Sequence, residues 1–229
     1  MAKKIMFNDE YGLTQAVLDG RKTMTRRIIK CPRTFKGEWV AGFNIHRSPS
    51  DKEIVGFPCM YDADEREFDM GEILPKYKVG EVLAIAQRYK DVVGKRDEAQ
   101  ETLGLYKIGK RYLTMEEMGA GWNNKLFVRA DFMPHHIRIT NIKIQRLQEI
   151  SNEDCLKEGI IKTIHKSADG EWGRYYWHHG VTSSNCPYGQ YKEYSSPLEA
   201  FASLIDCVSG KGTFKSNPYV FAYEFELID

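Results

Sequence analysis

Apolar positions along the chain switch between a helical and an alternating period, and the switches mark a series of short elements. Near the start, Tyr11, Thr14, Val17 and Leu18 fall on one helical face. Asn8 offers a capping side chain, Asp9 and Glu10 suit a first turn, and Gly20 follows the last periodic residue, so a short helix ending at Gly20 is predicted. The run Val82-Leu83-Ala84-Ile85-Ala86, entered through a turn at 74–81, predicts a strand. The clearest β pattern lies within 126–147. Ile137 and Ile139 alternate in one phase, Ile142 and Ile144 in the other, which predicts a bulge or tight bend at Thr140-Asn141. Ser151-Asn152-Glu153-Asp154 has the S-x-x-D form of a helix start, and the helix it opens runs to Gly159. Ser196-Pro197-Leu198-Glu199 opens another, with Phe201, Leu204, Ile205 and Val208 on one face and Gly210 as the stop. Residues 218–227 alternate aromatic with other side chains and predict a closing strand.

Three segments, at about 33–72, 90–125 and 160–195, carry no sustained period and are predicted to be irregular insertions. The first has room for a small hairpin, and the second has weak helical character at 98–105. With no internal repeat and no low-complexity linker, the 229 residues predict one α+β domain with decorated loops. No apolar run approaches the roughly 18–20 residues of a membrane span, and the first residues lack a signal-peptide core. A cytoplasmic protein without membrane contact is expected. Five cysteines, an odd number scattered without a CxxC pair, predict reduced thiols. His135-His136 and His178-His179 are adjacent pairs, which on a strand point to opposite faces, and Cys186 beyond them matches no ligand spacing. Neither a metal nor another cofactor is predicted.

The charge balance, 33 basic against 32 acidic residues for a net +1, removes the usual compositional argument for a generic nucleic-acid binder. Its distribution is less even. From Arg21 to Lys36 there are seven basic residues and no acid. Lys22 and Thr25 stand three apart within this island, so a shared role requires a turn, which Gly20 permits. A lysine among Arg21, Arg26 and Arg27 has its pKa lowered by like charge and moves toward service as a general base. A threonine hydroxyl becomes a nucleophile only when such a base takes its proton. An exposed basic loop with a capping threonine accounts for the same residues, and a solvated helix-end acid accounts for Glu158. The aromatic residues Trp172, Tyr175, Tyr176, Trp177 and Tyr188 suit either stacking on a base or closing a loop over the core.

Four segments together carry a resemblance. Leu18-Asp19-Gly20-Arg21-Lys22-Thr23-Met24-Thr25-Arg26-Arg27 is similar to the "hGxKTxTxR" opening of ASCH domains, PUA-like β-barrels named after the activating signal cointegrator. Tyr77-Lys78-Val79-Gly80-Glu81-Val82-Leu83 resembles the family's "yKvGDvl" strand entry. The segment from Leu147 to Ile160 is similar to the "LqdISeedAxxEGi" helix of phage and bacterial members, and Asn217 to Phe225 to the closing "NPwVwvieFe" strand. The four cover about a fifth of the chain, in the family's order.

The resemblance implies a mixed PUA-like barrel flanked by short helices, with the three insertions as additions. Small bacterial members are N4-acetylcytidine amidohydrolases that use a Lys and a Thr of the opening motif and a Glu of the later helix. Position by position this implies Lys22, Thr25 and Glu158 as catalytic residues; beside them Arg21, Arg26, Arg27 and Gln87 are expected as substrate contacts. The substrate implied is a modified cytosine nucleoside or nucleotide. A non-catalytic RNA- or nucleotide-binding module, such as a phage accessory protein, is the alternative. One departure stands out: many phage-type members have "WvRE" where this chain has Ala84-Ile85-Ala86-Gln87, so an acid is replaced by Gln87.

Overall fold

The computed structural model describes residues 3–166, 169–180 and 191–228. Its centre is a mixed five-stranded sheet built from β1 (Lys3–Ile5), β2 (Met24–Ile28), β3 (Val82–Ile85), β4 (His136–Arg146) and β5 (Tyr219–Leu227), in the order β1-β3-β4-β5-β2. β1 and β3 run parallel, and the other neighbours are antiparallel. Three helices position the site: α1 (Leu13–Leu18), α2 (Asn152–Lys157) and α3 (Pro197–Ser209). The chain is thus α+β, as the pattern predicts.

The register of β4 changes between Ile139 and Asn141, where the two hydrophobic phases meet. One extra residue there lets Ile137 and Ile139 face the core before the bulge and keeps β4 paired with β5 after it. α2 is capped by Ser151, whose hydroxyl accepts from the Asp154 N–H, and α3 by Ser196 with Pro197 in its first turn. Both starts fall where predicted. α1 begins later than expected: Asn8 caps a turn through its bond from the Glu10 N–H, and the helix opens only after left-handed Gly12.

The main core lies between the sheet and these helices, where Ile5, Leu83, Ile137, Ile139, Phe201 and Tyr223 are fully buried. Burying Phe201 alone is worth about 1.5–3 kcal/mol. A second apolar cluster, with Tyr89, Ile108, Val128 and Phe132, sits under residues 89–133. The segments read as irregular are better ordered than predicted. A strand pair at Thr34–Phe35 and Glu38–Trp39, a three-stranded sheet at Gly42–Asn44, Cys59–Tyr61 and Glu67–Glu72, and hairpins at 106–113 and 161–177 all lie within them. Their strands are two to six residues long, too brief for periodicity to stand out.

The sheet does not close into a barrel. β1 and β2 are its edges, and no ladder joins them among the described residues. Closure requires the edge strands to run side by side with matched tilt, yet β1 ends at Ile5 and the chain turns away. A side chain spans the gap instead: Arg27 Nη2 donates to the Met6 carbonyl at 2.7 Å. No helix among the described residues is long and apolar enough to cross a membrane. Cys31, Cys59, Cys155 and Cys207 are free thiols, while Cys186 and Tyr188 lie outside the described residues.

Candidate active site

The turn between α1 and β2 explains how Lys22 comes to face α2. Gly20 adopts a left-handed φ of 71° and ends the helix. The Lys22 N–H then donates to the Ala16 carbonyl at 2.8 Å, and the Thr23 N–H to the Lys157 carbonyl at 2.9 Å. That last bond uses a carbonyl that the end of α2 leaves without a helical partner. It fixes the turn beside Glu158, the residue that caps α2. Gly159 follows with φ 104°, and a Cβ there would meet Leu13 and Lys22, so the chain leaves α2 close against the lysine.

Lys22 Nζ donates to Glu158 Oε2 at 2.7 Å and to the Glu158 carbonyl at 2.8 Å. The side chains are 2% and 5% exposed, so the ion pair is removed from water. Glu158 Oε1 accepts from Arg26 Nη1 at 2.9 Å, and Arg26 Nη2 reaches Asp154 Oδ2 at 3.0 Å. Arg26 also meets Met24 Sδ at 3.0 Å, and its guanidinium lies 5.9 Å from the Phe201 ring centre. One carboxylate therefore serves two buried cations.

Burial pushes the Lys22 ammonium below the ordinary lysine value of 10.5, Glu158 opposes that shift, and the Arg27 and Arg26 charges add to it. The site thus has what a lysine base needs: a dry surrounding, neighbouring cations, and a carboxylate whose charge is shared.

Lys22, Thr25, Arg26, Arg27 and Glu158 line one cavity of about 810 Å³. Its lining includes apolar side chains of α3, Phe201, Leu204, Ile205 and Val208, and the segment Met6 to Glu10. That size suits a nucleoside-scale ligand. Thr25 is buried and makes no side-chain hydrogen bond among the described residues, so its hydroxyl is uncommitted. The Thr23 carbonyl accepts from Phe225 and the Ile29 N–H donates to Tyr219. By antiparallel alternation the Arg26 N–H then points to the free edge of β2.

The other sequence candidates divide. Arg27 lines the cavity while bonded to Met6. Arg26 does too; its Nη1 and Nη2 bond Glu158 and Asp154, while its Nε has no partner among the described residues. Arg21 pairs with Asp19 at 3.1 Å outside the cavity. Gln87 is also outside, in a neighbouring pocket of about 320 Å³ with Gln15, Arg88 and Asp91, and its Oε1 has no partner among the described residues. The two pockets share Asp9.

Sequence reasoning missed the rim. Lys125 Nζ pairs with Asp9 Oδ1 at 2.8 Å and also donates to the Phe7 carbonyl, while the Thr14 hydroxyl donates to Asp9. The two Lys125 contacts join residues more than a hundred positions apart, and no local pattern announces them. Asp154 was visible only as a first-turn acid of α2. Among the described residues there is no group of three or more His, Cys, Asp and Glu side chains placed to hold a metal ion. His178 is buried and engaged through Nδ1 with the His179 carbonyl at 2.7 Å and Nε2 with Ser203 at 3.0 Å.

Comparison of the chain with family models, with curated proteins and with solved structures finds no match in any of the three.

Proposed function

We propose that the protein is an amidohydrolase that removes the acyl group from N4-acylated cytosine nucleosides such as N4-acetylcytidine. The sheet is taken, on the same proposal, as an open variant of the ASCH-type, PUA-like arrangement. The observation that carries it is the buried Lys22–Glu158 pair in a cavity that also holds an uncommitted Thr25 hydroxyl.

The chemistry follows from these groups. Neutral Lys22 takes the Thr25 proton as Oγ adds to the acyl carbonyl carbon. Negative charge builds on the carbonyl oxygen, where the Arg27 guanidinium and the edge N–H of Arg26 are the nearby donors. Lys22 returns the proton to N4 as the C–N4 bond breaks, releasing cytidine and leaving an acyl-threonine. Water then adds to that ester, its proton passes through Lys22 back to Thr25 Oγ, and the carboxylic acid departs. Glu158 holds Lys22 in place throughout, and Arg26 holds Glu158. A module that binds RNA through the 21–36 island without catalysis has less support, because most of those cations are spent on internal partners.

The test is incubation of the purified protein with N4-acetylcytidine, following cytidine release. Lys22→Ala, Thr25→Ala and Glu158→Ala are each expected to lower kcat by at least about 100-fold. Absence of turnover on the nucleoside, on N4-acetylcytosine and on longer N4-acyl analogues by folded protein would overturn the proposal.

A further inference from the structure

Three residues after Glu158 the chain enters a hairpin, Ile161–Lys166 paired with Trp172–Trp177. Its register sets Lys162 opposite Tyr176, Ile164 opposite Arg174 and Lys166 opposite Trp172. Side chains alternate along a strand, so these six share one face. Five of them are exposed, Ile164 by 60% and Trp172 by 71%. The other face is half-buried, with His165 stacked on Tyr175 at 4.4 Å.

The outward face has an unusual composition for a solvated surface. Lys162, Lys166 and Arg174 form no ion pair among the described residues, and Lys166 Nζ lies 5.8 Å from the Trp172 ring centre. Asp169 and Glu171 belong to the connecting turn, beyond the last cross-strand pair. Unpaired cations alternate with an indole and a branched apolar side chain. That combination offers contacts to backbone phosphates together with a ring face for an unstacked base, which a duplex does not present. The base of the hairpin is close to the site: the His179 ring lies against Gly12 at the start of α1, and Leu13 of that helix lines the Lys22 cavity.

We propose that this hairpin face binds single-stranded RNA and holds the strand while one modified cytosine enters the Lys22 cavity. The choice of RNA, and of a polymer over a free nucleoside as substrate, rests on the amidohydrolase proposal. The face itself rests on charge, exposure and register.

The test uses a fluorescein-labelled 12-nucleotide oligocytidine RNA and the full chain, with binding read by anisotropy across a salt series. The variants are the triple Lys162→Glu/Lys166→Glu/Arg174→Glu and the single Trp172→Ala. None touches the cavity, so hydrolysis of free N4-acetylcytidine is expected to stay unchanged in both. Losing three phosphate contacts at about 0.7 each lowers the slope of log K against log salt by about two. Trp172→Ala is expected to weaken binding about tenfold at fixed salt. For an RNA carrying one N4-acetylcytidine, KM rises in both variants while kcat holds.

No RNA binding by the native chain, or an unaltered slope in the triple variant, would overturn the proposal. So would tighter binding of the matching oligodeoxycytidine, or binding to anionic vesicles in place of RNA that the same reversals remove. Failure of the enzymatic proposal reads out separately, as hairpin-dependent RNA binding by a protein that leaves free N4-acetylcytidine intact.

Discussion

Two basic regions of this molecule invert what their sequences suggest. The island from Arg21 to Lys36 is dense in charge and free of acids, yet five of its seven cations bond partners within the fold. Arg21 turns to Asp19, Lys22 and Arg26 to Glu158, Arg27 to the Met6 carbonyl and Lys36 to the Asp69 carbonyl. The hairpin at 161–177 looks unremarkable in charge, yet its three outward cations have no acidic partner among the described residues. Charge density along a chain therefore says little about charge available at a surface. What decides it is whether acids distant in sequence, here Asp154 and Glu158, fold onto the cations. Buried, paired cations can tune a proton transfer, whereas exposed, unpaired ones can attract a polyanion.

The sharpest way to break this contrast is to remove the carboxylate that the island shares. Glu158→Ala leaves Lys22 with only the residue-158 carbonyl and Arg26 with Asp154, both in a dry site. Uncompensated buried charge of this kind costs about 3–5 kcal/mol. Urea denaturation should show that loss directly, with little change in m value. A cost below about 1 kcal/mol would mean that water reaches the pair in solution, and the distinction between the two regions would fall with it.

The framework of the fold was legible in the chain because its signals are local. The phase change at Thr140-Asn141 located the bulge, Ser151 and Ser196 located two helices, and Gly210 ended one of them. The catalytic candidates were legible only as residue types. Lys22 and Glu158 are separated by 136 positions, and nothing in either neighbourhood states that the Thr23–Lys157 backbone bond joins them. The partners of Arg26 were hidden for the same reason, since a sequence shows a cation but not the two carboxylates that bond it. The hairpin was missed for a different reason: Gly173, two tyrosines and two tryptophans blur an alternation that spans only six residues on each strand. The closed barrel failed because closure depends on how β1 ends, and a three-residue strand carries too little pattern to reveal it.

A medium-sized effect separates Arg26 as a positioning residue from Arg26 as a substrate contact. Lys22 acts as a base only when neutral, so hydrolysis should rise with pH through its pKa. The Arg26 charge lowers that pKa, and Arg26 also draws on the carboxylate that would otherwise raise it. Both effects have the same sign. Arg26→Met should therefore move the rise in kcat to higher pH, whereas loss of a substrate contact would raise KM at unchanged pH dependence. Stability gives an independent reading of the same group. Native Lys22 titrates below the unfolded value of 10.5, so between the two values the unfolded chain binds more protons. Stability contributed by this group must then rise with pH across that window and be smallest below it. Lys22→Met should flatten this slope in denaturation curves recorded from neutral pH up to about 10.5.

The smallest expected effect lies on the hairpin and sharpens the comparison from the other side. Ile164 is exposed and faces the same way as the three cations, so the folded state gains little from its apolar surface. Ile164→Thr keeps the β-branch that suits a strand and removes only the exposed hydrocarbon. Its effect on the urea midpoint should correspond to less than about 0.5 kcal/mol. A loss of several kcal/mol would mean that the outward face is covered by part of the protein's own chain, and its cations would then belong with those of the island. A silent substitution that weakens RNA binding would place Ile164 on the docking face for a reason other than folding. An apolar side chain held in water between cations costs the fold nothing to replace, and what retains it must lie outside the domain's own core.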